Sequence, residues 1–206
     1  MAQFYPGDFI CSCGYLRAGK TMNSVRLALN LHLKGWNIVS NIDVKFATQR
    51  LKYIEELYEV RNSVILLDEV QATIDSRDFA KNVTVTQQGI YFGKRGNIVI
   101  MTTPHFGMLD IRYRQLTRYL FQCRRVVRHG KGYTVVEPYI HDGMDNLKST
   151  GKFVMKQELY YGLYDTLDEN VALISRDLAA KLPQQAANEQ RRVAPSRNAQ
   201  RSFIQS

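Results

Sequence analysis

No stretch of about eighteen apolar residues occurs in this 206-residue chain, so the sequence holds no helix expected to cross a membrane core. The opening Met-Ala-Gln-Phe lacks the basic and apolar regions of a secretory leader, and a cytosolic setting is expected. Cysteine is sparse: Cys11, Cys13 and Cys123 are too few and odd in number for a disulfide framework, and read as reduced core residues. His32, His105, His129 and His141 add no metal-ligand spacing to them, which argues against a cysteine-histidine metal centre. No internal repeat is present. Acid is in deficit, with 19 Asp and Glu against 28 Lys and Arg for a net charge of +9, a balance that suits a polyanionic partner. Hydrophobic residues at 45% and charged ones at 23% are ordinary for a globular chain, and the length suits one α/β domain.

What is present begins at Gly14-Tyr15-Leu16-Arg17-Ala18-Gly19-Lys20-Thr21, which matches the G-x-x-x-x-G-K-[ST] phosphate loop. The apolar run Asp8 to Cys13 before it reads as a buried strand. Met22 to Leu33 after it reads as a helix, with Val25, Ala28, Leu29 and Leu33 three or four apart. Glycines let successive backbone N–H groups turn inward around phosphate oxygens, and the positive end of the next helix faces the same anion. The cradle is expected to run from Gly14 to Met22, with Lys20 reaching the β- and γ-phosphates and the Thr21 hydroxyl on a Mg²⁺ ion.

A second motif, Ser63-Val64-Ile65-Leu66-Leu67-Asp68-Glu69, reads as a buried parallel strand delivering two acids to its carboxyl end, where open α/β sheets bind ligands. Asp68 is the expected Mg²⁺ partner of Thr21, and Glu69 the base that takes a proton from an attacking water. Together the motifs predict an ATP-hydrolysing enzyme that uses Mg²⁺. Between them lie a strand at Trp36 to Ile42 and a helix from about Thr48 to Tyr58 carrying Leu51, Ile54, Glu55 and Leu57. A strand intervening between the two phosphate-site strands fits the RecA-like, additional-strand branch of the fold, with a mostly parallel central sheet flanked by helices.

Gln71 to Gln88 is polar and mixed, and is expected to be a loop with a short helix at most. Gly93-Lys94-Arg95-Gly96 then leads into a strand over Asn97 to Thr103 that Pro104 ends. In motors of this class that strand carries a polar sensor of the γ-phosphate; Thr102, Thr103 and His105 are the candidates, Thr102 first. The positive charge gathers further on, where residues 112–131 hold Arg112, Arg114, Arg118, Arg124, Arg125, Arg128 and Lys131 without one acid, interleaved with Tyr113, Tyr119 and Phe121. That patch suits a phosphate backbone. It also overlaps a predicted C-terminal β-hairpin, Tyr119 to Val127 with Tyr133 to Val136 around Gly130-Lys131-Gly132, whose edge the charge would keep soluble. Leu173 to Leu182 reads as a last helix. Past it, residues 183–206 are rich in Gln, Ala, Asn and Arg and read as a basic, disordered tail beside a 1–182 ATPase domain.

The run Trp36 to Ile42, the triplet Leu67-Asp68-Glu69, Gly93-Lys94-Arg95-Gly96 before a strand and Leu109-Asp110-Ile111-Arg112 after it together resemble the zonular-occludens-toxin-like and FtsK/HerA-type viral ATPases. Tyr164-Asp165-Thr166 is similar to a short motif near the end of their domain. The resemblance spans roughly residues 8–170. It implies a hexameric ring with a RecA-like core, double-stranded DNA as the translocated substrate, and either packaging at a viral capsid vertex or extrusion of filamentous phage. It further implies work in the host cytoplasm or at the virion. Where many members end the sensor strand in Gln, this chain has Thr102-Thr103-Pro104-His105. Ring motors of this kind also take an arginine from the neighbouring subunit to stabilise charge on the γ-phosphate. Arg95, on the family's basic turn, is the first candidate, with Arg112 and Arg77 in reserve. Filamentous-phage relatives often carry a membrane span after the ATPase, so its absence favours packaging. A nucleoside-kinase-like phosphotransferase and an assembly factor that binds ATP without hydrolysis remain as alternatives.

Overall fold

The computed structural model describes residues 3–71, 91–141 and 146–165, together with the single positions Leu173, Arg176 and Ala180. Most of the 71–88 segment, Arg77, most of the expected last helix and the 183–206 tail lie outside the described residues.

Three continuous apolar runs form the middle of one twisted sheet: β1 (Phe9–Cys13), β4 (Ser63–Leu67) and β5 (Ile98–Thr103), each buried at every position. Burial on both faces is what a parallel sheet covered on two sides demands, and it explains why these strands read as unbroken hydrophobic runs. Alternate residues split between two cores. Phe9, Cys11, Ile65, Leu67, Val99 and Met101 face one; Ile10, Val64, Leu66, Ile98 and Ile100 face the other, where α1 (Lys20–His32) lays down Met22, Val25, Leu27, Ala28 and Leu31.

β2 (Asn37–Ser40) and β3 (Gln49–Arg50) extend the sheet on one side, and β6 (Thr117–Arg128), β7 (Lys131–His141) and β8 (Leu147–Ser149) on the other, giving the order β3-β2-β4-β5-β1-β6-β7-β8, with β9 (Phe153–Lys156) also paired to β7. The pairings from β3 across to β6 in that order are parallel; those of β7, with β6, β8 and β9, are antiparallel. A short helix, α2 (Ile111–Leu116), leads into β6.

Two sequence expectations need correction. A strand does separate β1 from β4, but it is β5; the 36–42 strand lies on the far side of β4. The helix expected over 48–58 is instead the two-residue strand β3 followed by a 3₁₀ turn at Ile54–Tyr58. Its apolar residues explain the difference. Leu51, Ile54, Leu57 and Val60 are all buried and recur every third residue, the period at which 3₁₀ side chains eclipse, so a period of 3.6 would have turned them away from the core.

The hairpin runs further than expected. Thr117 to Gln122 lie beside β1, and β6 then continues six residues beyond Cys13, about 20 Å, paired to β7 throughout. His129 and Gly130 turn it with φ of 49° and 72°, the two positive values of a type I′ turn that matches strand twist.

Candidate functional site

Because β1, β5 and β4 are parallel and in register, with Cys13 beside Thr103 and Leu67 beside Met101, the loop after β1 and the acids after β4 open on one edge of the sheet. Gly14 (φ 151°) and Gly19 (φ 90°) shape the loop. Each also has a close neighbour in the hairpin. A Cβ on Gly14 would sit 2.3 Å from the Cys123 carbonyl oxygen, and one on Gly19 would sit 2.2 Å from Thr134 Oγ1. Gly19 is the N-cap of α1 and makes no side-chain cap; among the described residues no acid occupies the helix's first turn, so its amides and positive end are left for an anion.

Lys20 is 5% exposed, with Nζ 3.4 Å from the Tyr15 carbonyl and 3.8 Å from Glu69 Oε1. The Thr21 hydroxyl donates to the Asp68 carboxylate at 2.9 and 3.1 Å. Thus Lys20, Thr21, Asp68 and Glu69 meet in space. They share a cavity of about 340 Å³ with Arg17, Gly19 and Met22. Tyr15 and Leu16 form the outer crest of the loop, largely exposed, and Ala18 is buried beneath it.

Two further side chains hold the acids. Thr102, fully buried, donates to Asp68 Oδ1 at 2.7 Å and accepts the Glu69 backbone N–H at 2.8 Å. The Asn41 amide accepts the Asp68 N–H at 2.8 Å and donates to the Asp68 carbonyl at 2.9 Å. Glu69 takes φ of 50°, which swings its side chain out of the strand direction, where Gln71 donates to it. Burial pushes the Asp68 carboxyl above its usual range; hydrogen bonds from Thr102 and then Thr21 oppose the shift, Glu69 adds to it and Lys20 opposes it.

The oxygen donors Thr21 and Asp68 fit a hard divalent cation such as Mg²⁺, whose charge would offset the cost of burying the Asp68 carboxylate. The helix end and glycine loop fit the phosphates of ATP.

Thr102 lies at the site with its hydroxyl committed to both acids. Thr103 donates to the His105 carbonyl, and His105 accepts the Gly107 N–H through Nδ1 in a 3₁₀ turn. Arg95 is not among the converging groups. It precedes β5, at the opposite edge of the sheet and about 20 Å from the loop, where its carbonyl accepts from Asn62 and its guanidinium lies 5.7 Å from the Tyr91 ring centroid. Arg112 is held by Asp110, with Nε to Oδ1 at 2.7 Å and Nη2 to Oδ2 at 2.8 Å.

Several contributors escaped the sequence reading: Asn41, Thr134, Gln157, Tyr161 and Tyr164. Asn41, within the Trp36 to Ile42 run, and Tyr164, within the Tyr164-Asp165-Thr166 run, carried a local signal. The Tyr164 hydroxyl is pushed up to about 12 by burial, with the Asp68 charge adding to the shift.

No family model and no curated protein matches the chain. Solved structures do. The N-terminal domain of zonular occludens toxin from Neisseria meningitidis is similar with a TM-score of 0.52 and 16% identity over 77% of this chain and 99% of that one. Flagellar accessory protein FlaH from Methanocaldococcus jannaschii is similar with a TM-score of 0.52 and 12% identity over 74% and 86%. The chain therefore has the RecA-like P-loop α/β fold: a mostly parallel central sheet with an antiparallel hairpin toward the C-terminus.

Proposed function

We propose that this protein is a Mg²⁺-dependent ATPase that drives assembly or extrusion of a phage or a related surface structure. The observation that carries the ATPase reading is the convergence of Lys20 and Thr21 with Asp68 and Glu69 on one cavity. Lys20 and the loop amides bind and orient the triphosphate, and Thr21 and Asp68 hold Mg²⁺. Bound Mg²⁺ would neutralise charge on the β- and γ-phosphate oxygens. Glu69, beside Lys20 and partly open to solvent, takes the proton from the attacking water. This favours hydrolysis over transfer to a small acceptor, the nucleoside-kinase alternative.

The similarity to the toxin domain and to FlaH supports the assembly reading above packaging of viral double-stranded DNA into a capsid. A nucleic-acid partner has support of its own: Arg124, Arg125, Arg128 and Lys131 are exposed where the hairpin projects from the phosphate edge of the sheet. A hexameric ring, a neighbouring subunit's Arg95 acting on the γ-phosphate, docking at a capsid vertex and a cytoplasmic or virion location belong to the same proposal.

Phosphate release from the full chain, with and without double-stranded DNA, tests it. Lys20→Ala should abolish ATP binding and turnover, and Glu69→Gln should bind ATP without hydrolysing it. Normal turnover by Glu69→Gln would overturn the base assignment. DNA-stimulated turnover would favour translocation over assembly without DNA.

A further inference from the structure

The amino end of α1 is crossed by residues 157–165, which run from the hairpin to the loop after β2. At one end Gln157 Nε2 donates to Thr134 Oγ1 at 3.3 Å, the same hydroxyl that abuts Gly19. At the other, Tyr164 bridges to Val44, Lys45 N–H donates to the Leu163 carbonyl at 3.0 Å, and Asp165 N–H donates to the Asp43 carbonyl at 3.2 Å. The segment is thus tied down on both sides of the phosphate cavity. Between the ties Tyr161 stands 64% exposed on the rim of that cavity, with its hydroxyl 3.5 Å from Gln157 Oε1.

Position along the triphosphate follows from these ties. The terminal phosphate belongs with Lys20, Asp68 and Glu69, so the nucleoside must leave the cavity at its other end. Tyr161 and Tyr164 both line the cavity, and Tyr161, through Gln157 and Thr134, is tied to its Gly19 side. A large ring at that exit, exposed yet fixed by a hydrogen bond and an anchored backbone, offers a flat apolar face at little ordering cost.

We propose that Tyr161 is the platform on which the base of the bound nucleoside triphosphate stacks. The proposal rests on the ATPase reading above, and assigns to this residue the part of nucleotide affinity that the phosphate loop cannot supply. Base stacking on an aromatic ring is sequence-tolerant, so it sets affinity for nucleotides over base-free polyphosphates more than it selects among bases.

Calorimetric titration of the full chain with ATP and with inorganic tripolyphosphate, each with Mg²⁺, separates the contributions. Tyr161→Ala should weaken ATP about fivefold or more and leave tripolyphosphate unchanged, whereas Tyr161→Phe, which keeps the ring but loses the contact to Gln157, should retain most of the ATP affinity. Unchanged ATP affinity in Tyr161→Ala, or an equal loss for both ligands, would overturn the platform role. Lys20→Ala is the control for the underlying reading and should lose both ligands. If the unsubstituted chain bound neither, the triphosphate site itself would be refuted, and the platform with it.

Discussion

Thr102 Oγ1 lies 2.7 Å from Asp68 Oδ1 and 2.8 Å from the Glu69 backbone nitrogen, so one buried hydroxyl on β5 fixes both acids at the end of β4. Its proton goes to Asp68 and its lone pair receives the amide, which makes it a positioning residue. Thr102→Val keeps the volume but leaves a buried carboxylate oxygen and a backbone N–H unpaired. The expected cost is about 1–3 kcal/mol of stability, read in a denaturant melt. Turnover should fall further than ATP affinity, because the acids lose their register while the loop does not. Thr102→Ser should restore most of both.

The two loop glycines fail differently when substituted. At Gly14 an added methyl meets the backbone carbonyl of Cys123, which no side-chain change can move; at Gly19 it meets the Thr134 hydroxyl. Both positions also have φ values that disfavour a side chain. Gly14→Ala and Gly19→Ala should each weaken ATP binding by more than tenfold. Adding Thr134→Ala should recover part of the loss in Gly19→Ala and none in Gly14→Ala. A double-mutant cycle on ATP affinity reads that coupling directly.

Local chemistry made the central strands and both phosphate motifs legible. Apolar runs such as the four residues Val64 to Leu67 before Asp68 have few other homes, and the 14–21 loop carries its function in its spacing. Strand order was harder to read, because whether β2 or β5 enters between β1 and β4 depends on crossovers that no local pattern encodes. The 3₁₀ turn was hidden for a different reason: within 48–58 only Leu51, Ile54 and Leu57 mark the period, and Val60, whose burial separates a repeat of three from one of 3.6, lies beyond that span. Asn41, Thr134 and Gln157 act through partners 27, 115 and 23 positions away, at Asp68, Gly19 and Thr134 respectively. Pairings at that range appear only once the chain is folded.

Asp110 gives a dependence on pH with a definite sign. Its carboxylate accepts from the Arg112 guanidinium and backbone N–H at the start of α2, which lowers its pKa to about 2. A depressed folded-state value stabilises above the unfolded value near 4, and that contribution is lost as pH falls toward 2. Since both partners are about one-third exposed, the cap and ion pair together should contribute only about 1 kcal/mol. Melts of the parent chain and Asp110→Asn should therefore differ at pH 6 and converge by pH 2. A constant difference across that range would assign the effect to packing instead.

The hairpin supplies the test of a nucleic-acid partner. Beyond Cys13 its exposed side chains include Arg124, Arg125, Arg128 and Lys131, and its base touches Gly14 and Gly19 through Cys123 and Thr134. Neutralising phosphates with these cations releases counterions, so affinity for DNA should fall steeply with salt, and each lost contact should flatten that slope by about one unit. Replacing Arg124, Arg128 and Lys131 by Ala should weaken DNA binding across unrelated sequences alike, and reduce the salt slope by about three. ATP affinity without DNA should change far less than DNA affinity, because Arg128 and Lys131 lie at the hairpin's turn and only Arg124 borders the loop, sharing a cavity with Gly14, Tyr15 and Leu16. If the triple variant kept both its DNA affinity and its salt slope, nucleic acid would have to bind elsewhere and the hairpin's charge would serve only to protect a strand edge.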